Sequence, residues 1–242
     1  MSIMESIHRR FVYGRRVAVL TEELSRTIPP NTRVLDVGCG DGLIDSLILQ
    51  RRPDMQIEGV DVLVRPKLHV PVKAFDGRRM PCENGSFDVV MFVDVLHHTD
   101  DPAVLLAEAA RVARQAVVIK DHLLEGPMAR ATLLYMDRVG NEGYGVSLPF
   151  NYWPQYRWQQ AFDSVGLKVQ QWNTSFRLYP WWANWIFGRG MHFIARLGVA
   201  DGCGAPAATT AGQEPSLLSR SFPRETGVVR VATLGHRPPP LS

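Results

Sequence analysis

R-V-L-D-V-G-C-G-D-G-L-I-D-S-L, residues 33–47, is the stretch that decides the fold. A short apolar strand, Val34-Leu35-Asp36-Val37, runs into a glycine-rich turn, Gly38-Cys39-Gly40-Asp41-Gly42. Leu43, Ile44, Leu47 and Ile48 then recur at the spacing of an amphipathic helix. Strand, glycine turn and helix in that order form the nucleotide-binding half of an α/β unit. Gly38 and Gly40 let the backbone reverse tightly and approach a ligand with no Cβ in the way. The helix N-terminus points its free N–H groups at the same place. The spacing is G-x-G-x-G, not the dinucleotide G-x-G-x-x-G, and Leu43 stands where the third glycine would be. That argues against a pyrophosphate packed under a close helix.

On the amino-terminal side, residues 3–26 predict a cover helix, with Ile7, Phe11, Val17, Leu20 and Leu24 near one face and Gly14 weakening its middle. Pro29-Pro30 end it. On the other side, the helix after the turn spans about 42–51. A second strand, Gln56 to Val60, closes at Asp61. A third, His69 to Phe75, is weakened by Pro71 and closes at Asp76-Gly77. Phe87 to Val93 is apolar throughout, as a buried parallel strand should be. Asp100-Asp101-Pro102 caps a helix to about Arg114, and Ala116 to Lys120 is the fifth strand. Strands alternating with helices at this interval predict a doubly wound, mostly parallel α/β sheet with helices on both faces.

Beyond residue 121 the pattern changes. A helix is expected over about 127–138, then a glycine-rich loop from Gly140 to Gly145, then a helix from Pro154 to Val165. Leu167 to Trp172 and His192 to Leu197 read as a pair of strands. Between them lies an aromatic stretch, Phe176 to Phe187, with Tyr179, Trp181, Trp182 and Trp185. From residue 199 to 242 the composition turns to Ala, Gly, Thr, Ser and Pro, which predicts a flexible tail. Thr226 to Leu234 could add a stray strand.

The 242 residues suit one domain with an appendage. A net charge of +3 is too small to point to nucleic acid. The cluster Arg9, Arg10, Arg15 and Arg16 reads as a solvated helix face, or as an anion or membrane-surface contact. Cys39, Cys82 and Cys203 show no zinc or disulfide spacing, and no signal peptide or membrane span is visible, so a cytoplasmic location is expected.

In doubly wound sheets the ligand sits outside the carboxyl ends of the strands. This chain places an acid at almost every such end: Asp36, Asp61, Asp76, Asp94 and Asp121, the last followed by His122. Asp61 suits a ribose diol, because a carboxylate offers two oxygens to two hydroxyls. Asp76 could accept from an adenine amino group while the Gly77 N–H meets a ring nitrogen. Asp36 could hold the glycine turn or reach a ligand amino group. The end of the fourth strand, Phe92-Val93-Asp94, can offer backbone carbonyls to an ammonium.

The string V-L-D-V-G-C-G-D-G resembles the first motif of class I S-adenosylmethionine (AdoMet) methyltransferases. E-G-V-D at 58–61, M-P-C-E-N-G-S-F-D-V-V at 80–90 and V-D-V-L-H-H-T-D-D-P at 93–102 resemble that family's following motifs in order and spacing. The likeness covers roughly residues 30–122 and is greatest to the type 11 group, which is similar to quinone C-methyltransferases. One departure is that Val112-Ala113-Arg114-Gln115 replaces the usual "LkPGG" turn. The resemblance implies a seven-stranded Rossmann-like methyltransferase fold with a C-terminal antiparallel strand. It divides residues 1–198 into a cover helix (1–30), a cofactor-binding half (31–122) and an acceptor-side half (123–198). It implies AdoMet as cofactor, held by Asp36, Gly38, Cys39, Gly40, Asp61, Val62, Asp76, Gly77, Val93, Asp94 and His98.

Methyl transfer from a sulfonium is an in-line displacement that positioning alone can largely catalyse, and no metal is required. Where the acceptor must lose a proton, His122 and His98 are the candidate catalytic residues, with Asp121 a partner to orient the imidazole. His97 reads as packing or capping. Phe150-Asn151-Tyr152-Trp153 and the aromatic stretch point to a small, apolar or aromatic acceptor, lipid- or quinone-like. Tryptophans flanked by Arg177 and Arg189 would also suit peripheral contact with a membrane. Two rivals stand beside this reading. A nicotinamide-dependent oxidoreductase is disfavoured by Leu43 and by Asp76-Gly77. A non-catalytic AdoMet-fold module is disfavoured by the intact glycine turn. A nucleic-acid amino-methyltransferase would carry N/D-P-P-Y/F where Val93-Asp94-Val95-Leu96 stands.

Overall fold

A computed structural model describes residues 13–141, 149–181, 184, 187, 188 and 190–200. The start of the expected cover helix, most of the 140–145 loop, Trp182, Trp185, Arg189 and the tail beyond residue 200 lie outside the described residues. The elements in chain order are α1 (Gly14–Thr27), β1 (Arg33–Val37), α2 (Leu43–Arg51), β2 (Gln56–Asp61), β3 (Val72–Ala74) and β4 (Phe87–Val93). A 3-10 turn (Leu96–His98), α3 (Pro102–Val112), β5 (Ala113–His122), α4 (Ala129–Asn141), α5 (Gln155–Ser164), β6 (Leu167–Asn173) and β7 (His192–Val199) follow.

The seven strands form one sheet in the order β3-β2-β1-β4-β5-β7-β6. β1 to β5 pair in parallel, and β7 runs antiparallel between β5 and β6. β4 explains why the sheet needs cover on both sides. Val89 and Met91 point into one core with Leu20 and Leu24 of α1 and Ile48 of α2. Val90 and Phe92 point into the other with Leu105 and Leu106 of α3 and Trp158 and Phe162 of α5. A strand apolar at every position cannot present a polar face to water. Each such side chain contributes roughly 1.5–3 kcal/mol by burial.

Local sequence sets the helix ends. The Asp101 carboxylate accepts the Ala103 N–H at 3.0 Å, and Pro102 occupies the first turn, where a missing N–H costs nothing. α3 passes directly into β5 with no intervening turn, as the lost "LkPGG" pattern implies. Within the described residues the first helix runs from Gly14 to Thr27, and the expected first half of the cover helix lies outside them.

Several features differ from the sequence reading, three of them at the site side of the sheet or its cover. β3 keeps only Val72–Ala74, because Pro71 has no N–H to donate and enters the pairing only as an acceptor from Gly59 at 2.8 Å. β5 is longer, reaching His122, because β7 pairs along it as far as His122 opposite His192. The aromatic stretch divides: Leu178 and Tyr179 pack into the core, whereas Trp181 is 83% exposed. Among the described residues no helix is long and apolar enough to cross a membrane.

Candidate active site

The glycine turn is left-handed at three points, with φ of 76° at Gly38, 62° at Gly40 and 75° at Gly42. Side chains are strained there, and a Cβ on Gly38 would stand 2.6 Å from the Val95 side chain. The Asp61 carboxylate closes the turn from the neighbouring strand. One oxygen accepts the Gly40 N–H at 2.8 Å and the other the Leu63 N–H at 2.8 Å. Cys39 packs against Gly59 so closely that a Cβ there would lie 2.3 Å from its Sγ. Gly38, Cys39, Gly40 and Asp61 therefore form one rigid corner at the carboxyl ends of β1 and β2.

Beneath that corner sit two buried acids. Asp36 of β1 and Asp45 of α2 face each other, and Asp45 is fully buried. One oxygen of Asp36 and both of Asp45 receive no N–H or hydroxyl from other groups, and the two carboxyls face each other closely enough to share a proton. Burial, then Asp45 and Asp61, raise the Asp36 carboxyl well above the usual range. Burial, with Asp41 adding to it, pushes Asp45 up to about 7. Two such carboxyls hold a proton between them, or else they require a cation. Asp45 was not among the expected site residues. Its signal was its spacing three residues before Ile48, which puts it on the inward face of α2.

The expected adenine side is assembled from the loops after β2 and β3. The Asp76 carboxylate accepts the Arg78 and Arg79 N–H groups at 2.8 and 2.7 Å, and these hold it below its ordinary pKa. Gly77 has φ of 77°, and the Val62 side chain lies 3.1 Å from where its Cβ would be. Val62, Asp76 and Gly77 are thus neighbours on the surface beside the glycine turn.

The carboxyl ends of β4 and β5 carry a polar network that is almost wholly buried. Parallel pairing sets Val93 opposite Lys120, so Asp94 meets the Lys120 ammonium. Asp94 is also ion-paired to Arg16 of α1 and adopts a left-handed conformation at φ 58°. Burial would raise its pKa, but Lys120 and Arg16 outweigh that and hold it well below the carboxylate range. Arg16, its side chain 30% exposed, reaches inward to Asp94, whereas Arg15 stays exposed and donates to the Arg177 carbonyl at 3.3 Å.

His97 is the hub of the adjoining group. Its Nδ1 lies 2.6 Å from Asp121 Oδ1, and its Nε2 makes an ion-pair contact of 3.4 Å with Asp137 of α4. Asp121 also accepts the Leu96 N–H at 3.0 Å and the His122 N–H at 2.7 Å. The Tyr152 hydroxyl donates to Asp137. Burial would lower the His97 pKa, but Asp121 and Asp137 lift it to about 10. Burial, and then His97, bring His98 down to about 4 and also lower His122. The rings of His98 and His122 stand 3.8 and 4.4 Å from that of His97.

The structure thus brings His98 and His122 to one place but gives Asp121 to His97 in the first instance. His122 is 4% exposed, with its ring against His192 at 4.9 Å, whereas His98 is only partly buried and lies near Phe150. Asp137, Lys120, Arg16 and His192 were not expected here. Their contributions come from four separate elements. His97, Asp121 and His122 bring donor atoms within 4.8 Å of one another, as do His97, His98 and Asp137. In the first group those atoms contact one another, whereas in the second His97 Nε2 and His98 Nδ1 make no hydrogen bond.

Residues 7–172 match the protein family described as a methyltransferase domain. The ubiquinone biosynthesis O-methyltransferase of Hahella chejuensis is 36% identical over 101 residues, covering 37% of this chain and 42% of that protein. The 2-methyl-6-phytyl-1,4-hydroquinone methyltransferase of Synechocystis is 32% identical over 103 residues, covering 38% of this chain and 32% of that protein. The matches therefore span less than half of either relative. Among solved structures, geranyl diphosphate C-methyltransferase of Streptomyces coelicolor has a TM-score of 0.56 at 12% identity, covering 75% of this chain and 76% of that one. At that identity the likeness is one of fold.

Proposed function

The chain belongs to the family of methyltransferase domains, and from that membership we propose that it transfers a methyl group from AdoMet to a small, apolar or aromatic acceptor, of lipid- or quinone-like character. The observation that carries the reading is the acid-lined glycine corner. Asp61 fixes the turn, and the buried carboxyls of Asp36 and Asp45 lie beneath it. A group bearing an ammonium would find an acceptor in the Asp36 carboxyl, whose Oδ1 receives no N–H from the protein. The sulfonium it carries supplies the electrophilic methyl.

The chain's own residues then divide the work. The Gly40 backbone and Asp61 seat a ribose, while Val62, Asp76 and Gly77 border the adenine. Val93, Asp94 and the 3-10 turn bearing His98 close the methionine end. The acceptor lies on the side of Phe150 and Tyr152, which pack with Leu124, Leu133 and Met191. His98 or His122 would take the proton that an acceptor hydroxyl releases as its oxygen bonds to the methyl carbon and the methyl–sulfur bond breaks, its electron pair leaving with the sulfur as a neutral thioether. Both are neutral at physiological pH and can accept it. Positioning of acceptor and methyl in line, with water excluded, provides most of the remaining acceleration. The two curated relatives, named for quinone chemistry, support an acceptor of that class.

Titration calorimetry of the full chain tests the first step. Binding of AdoMet and S-adenosylhomocysteine without NAD is the expected result. Heat from NAD and none from AdoMet would return the chain to the oxidoreductase reading. Incubation with radiolabelled AdoMet and cell extract, followed by identification of the labelled product, tests the acceptor.

A further inference from the structure

His97 is fully buried, and its two ring nitrogens face carboxylates from two different elements. A neutral imidazole carries a single N–H, so one nitrogen lone pair would confront a carboxylate. Neither acid is placed to supply the missing proton. Asp121 already accepts two backbone N–H groups, and Asp137 accepts the Tyr152 hydroxyl. Both carboxylates are therefore ionised, and a doubly protonated His97 turns an N–H toward each, through a hydrogen bond to Asp121 and an ion-pair contact of 3.4 Å, without hydrogen-bond geometry, to Asp137.

The surroundings receive that charge. His98 follows on the same turn, His122 on β5 stands beside it, and His192 on β7 lies against His122. Asp94 lies 3.6 Å from His122 Nδ1, and its own carboxylate is claimed by Lys120 of β5 and Arg16 of α1. A cation about 4 Å from two further imidazoles disfavours their protonation. It also ties α4, which carries Asp137, to the end of the sheet.

We infer that His97 is a positioning residue of this site: bridged between Asp121 of the sheet and Asp137 of α4, it holds a standing positive charge that keeps His98 and His122 in their proton-accepting form. The inference deepens the methyl-transfer reading and rests on it only where a rate is measured. The directions of the shifts agree with it, His97 rising and its two neighbours falling.

The test is a pH titration of the full chain, labelled with ¹⁵N at histidine, by long-range ¹H–¹⁵N correlation. His97 is assigned through its stacking against the Tyr152 ring, 5.6 Å away. In the unmutated protein both His97 nitrogens should remain protonated from pH 6 to 8 while His98 stays neutral. A neutral His97 at pH 7 would overturn the inference and leave the methyl-transfer reading untouched. His97→Gln and His97→Asn, made separately, should each move the His98 titration up by about one pH unit or more. With an identified acceptor, the acid limb of the kcat/KM profile should move by the same amount and in the same direction. A His98 titration unmoved in whichever variant folds would show that His97 has only a packing role. Failure of AdoMet to bind would instead refute the functional reading, because the titrations do not depend on it.

Discussion

Asp45→Asn should stabilise the protein, and should do so only at neutral and alkaline pH. Asp45 is fully buried, no N–H or hydroxyl other than the Asp36 carboxyl reaches its oxygens, and Asp36 and Asp41 are its acidic neighbours. Its pKa rises from the ordinary 3.8 to about 7. For an acid whose folded value is raised, the unfolded chain ionises first. The penalty on folding therefore begins above pH 3.8, grows until about pH 7, and is full beyond it. At about 1.4 kcal/mol per pH unit, the gap of about three units sets an upper bound near 4 kcal/mol. The asparagine amide donates to Asp36 but leaves a second N–H in a dry site, which returns about 1–2 kcal/mol. A net gain of roughly 2–3 kcal/mol at pH 8.5 remains, or a Tm rise of about 5–10 °C for a domain of this size. Near pH 4, where only the cost of the unpaired N–H remains, the variant should be the weaker by about 1–2 kcal/mol.

Urea unfolding followed by tryptophan fluorescence at pH 4, 6, 7 and 8.5 measures both ends of that range. The decisive quantity is the pH slope, because a packing effect of the substitution would shift all four points together. An identical slope in the two proteins, or a variant less stable at pH 8.5, would refute the reasoning. Either result would mean that Asp45 is ionised and paired in the folded state.

Asp61→Ala should weaken AdoMet binding by about 1–3 kcal/mol, since it removes a charged acceptor and frees the Gly40 and Leu63 N–H groups; unchanged affinity by calorimetry would displace the ribose site. Whichever of His98 and His122 accepts the proton should lose kcat by roughly 10²-fold on substitution by alanine, with AdoMet affinity retained. Near-normal rates in both variants would leave positioning as the whole of the catalysis. Truncation after Ala200 should leave the melting temperature and AdoMet binding as they are, on the composition of the removed segment; a clear fall in melting temperature would show that the segment packs.

The cofactor half was legible because its information is local. Val34 to Leu47 specify a strand, a turn and a helix within one short window, and the glycines stand where the backbone must take positive φ. β4 could be bounded to the residue from its unbroken apolar run. Asp101-Pro102 announced α3 through capping chemistry that needs no distant partner. Asp36, Asp61, Asp76, Asp94 and Asp121 could be placed at one edge because strand direction alone puts strand ends there.

What tertiary structure decided is how those ends are shared. Pairing with β7 extended β5 to His122 and brought His192 against it, and nothing local in either segment signals that register. Asp121 lies beside His122 in the chain, yet the fold gives its carboxylate to His97, 24 residues away, and sets Asp137 and Tyr152 on the far side of that ring. Arg16 read as surface charge until α1 closed over Asp94. Asp45 carried no expectation of its own, and only the packing of α2 against β1 seals it from water. The physical reason is common to all four. Backbone propensity and apolar periodicity act over a few residues, whereas a buried charge takes its protonation state from whichever partners the packed chain places within about 4 Å.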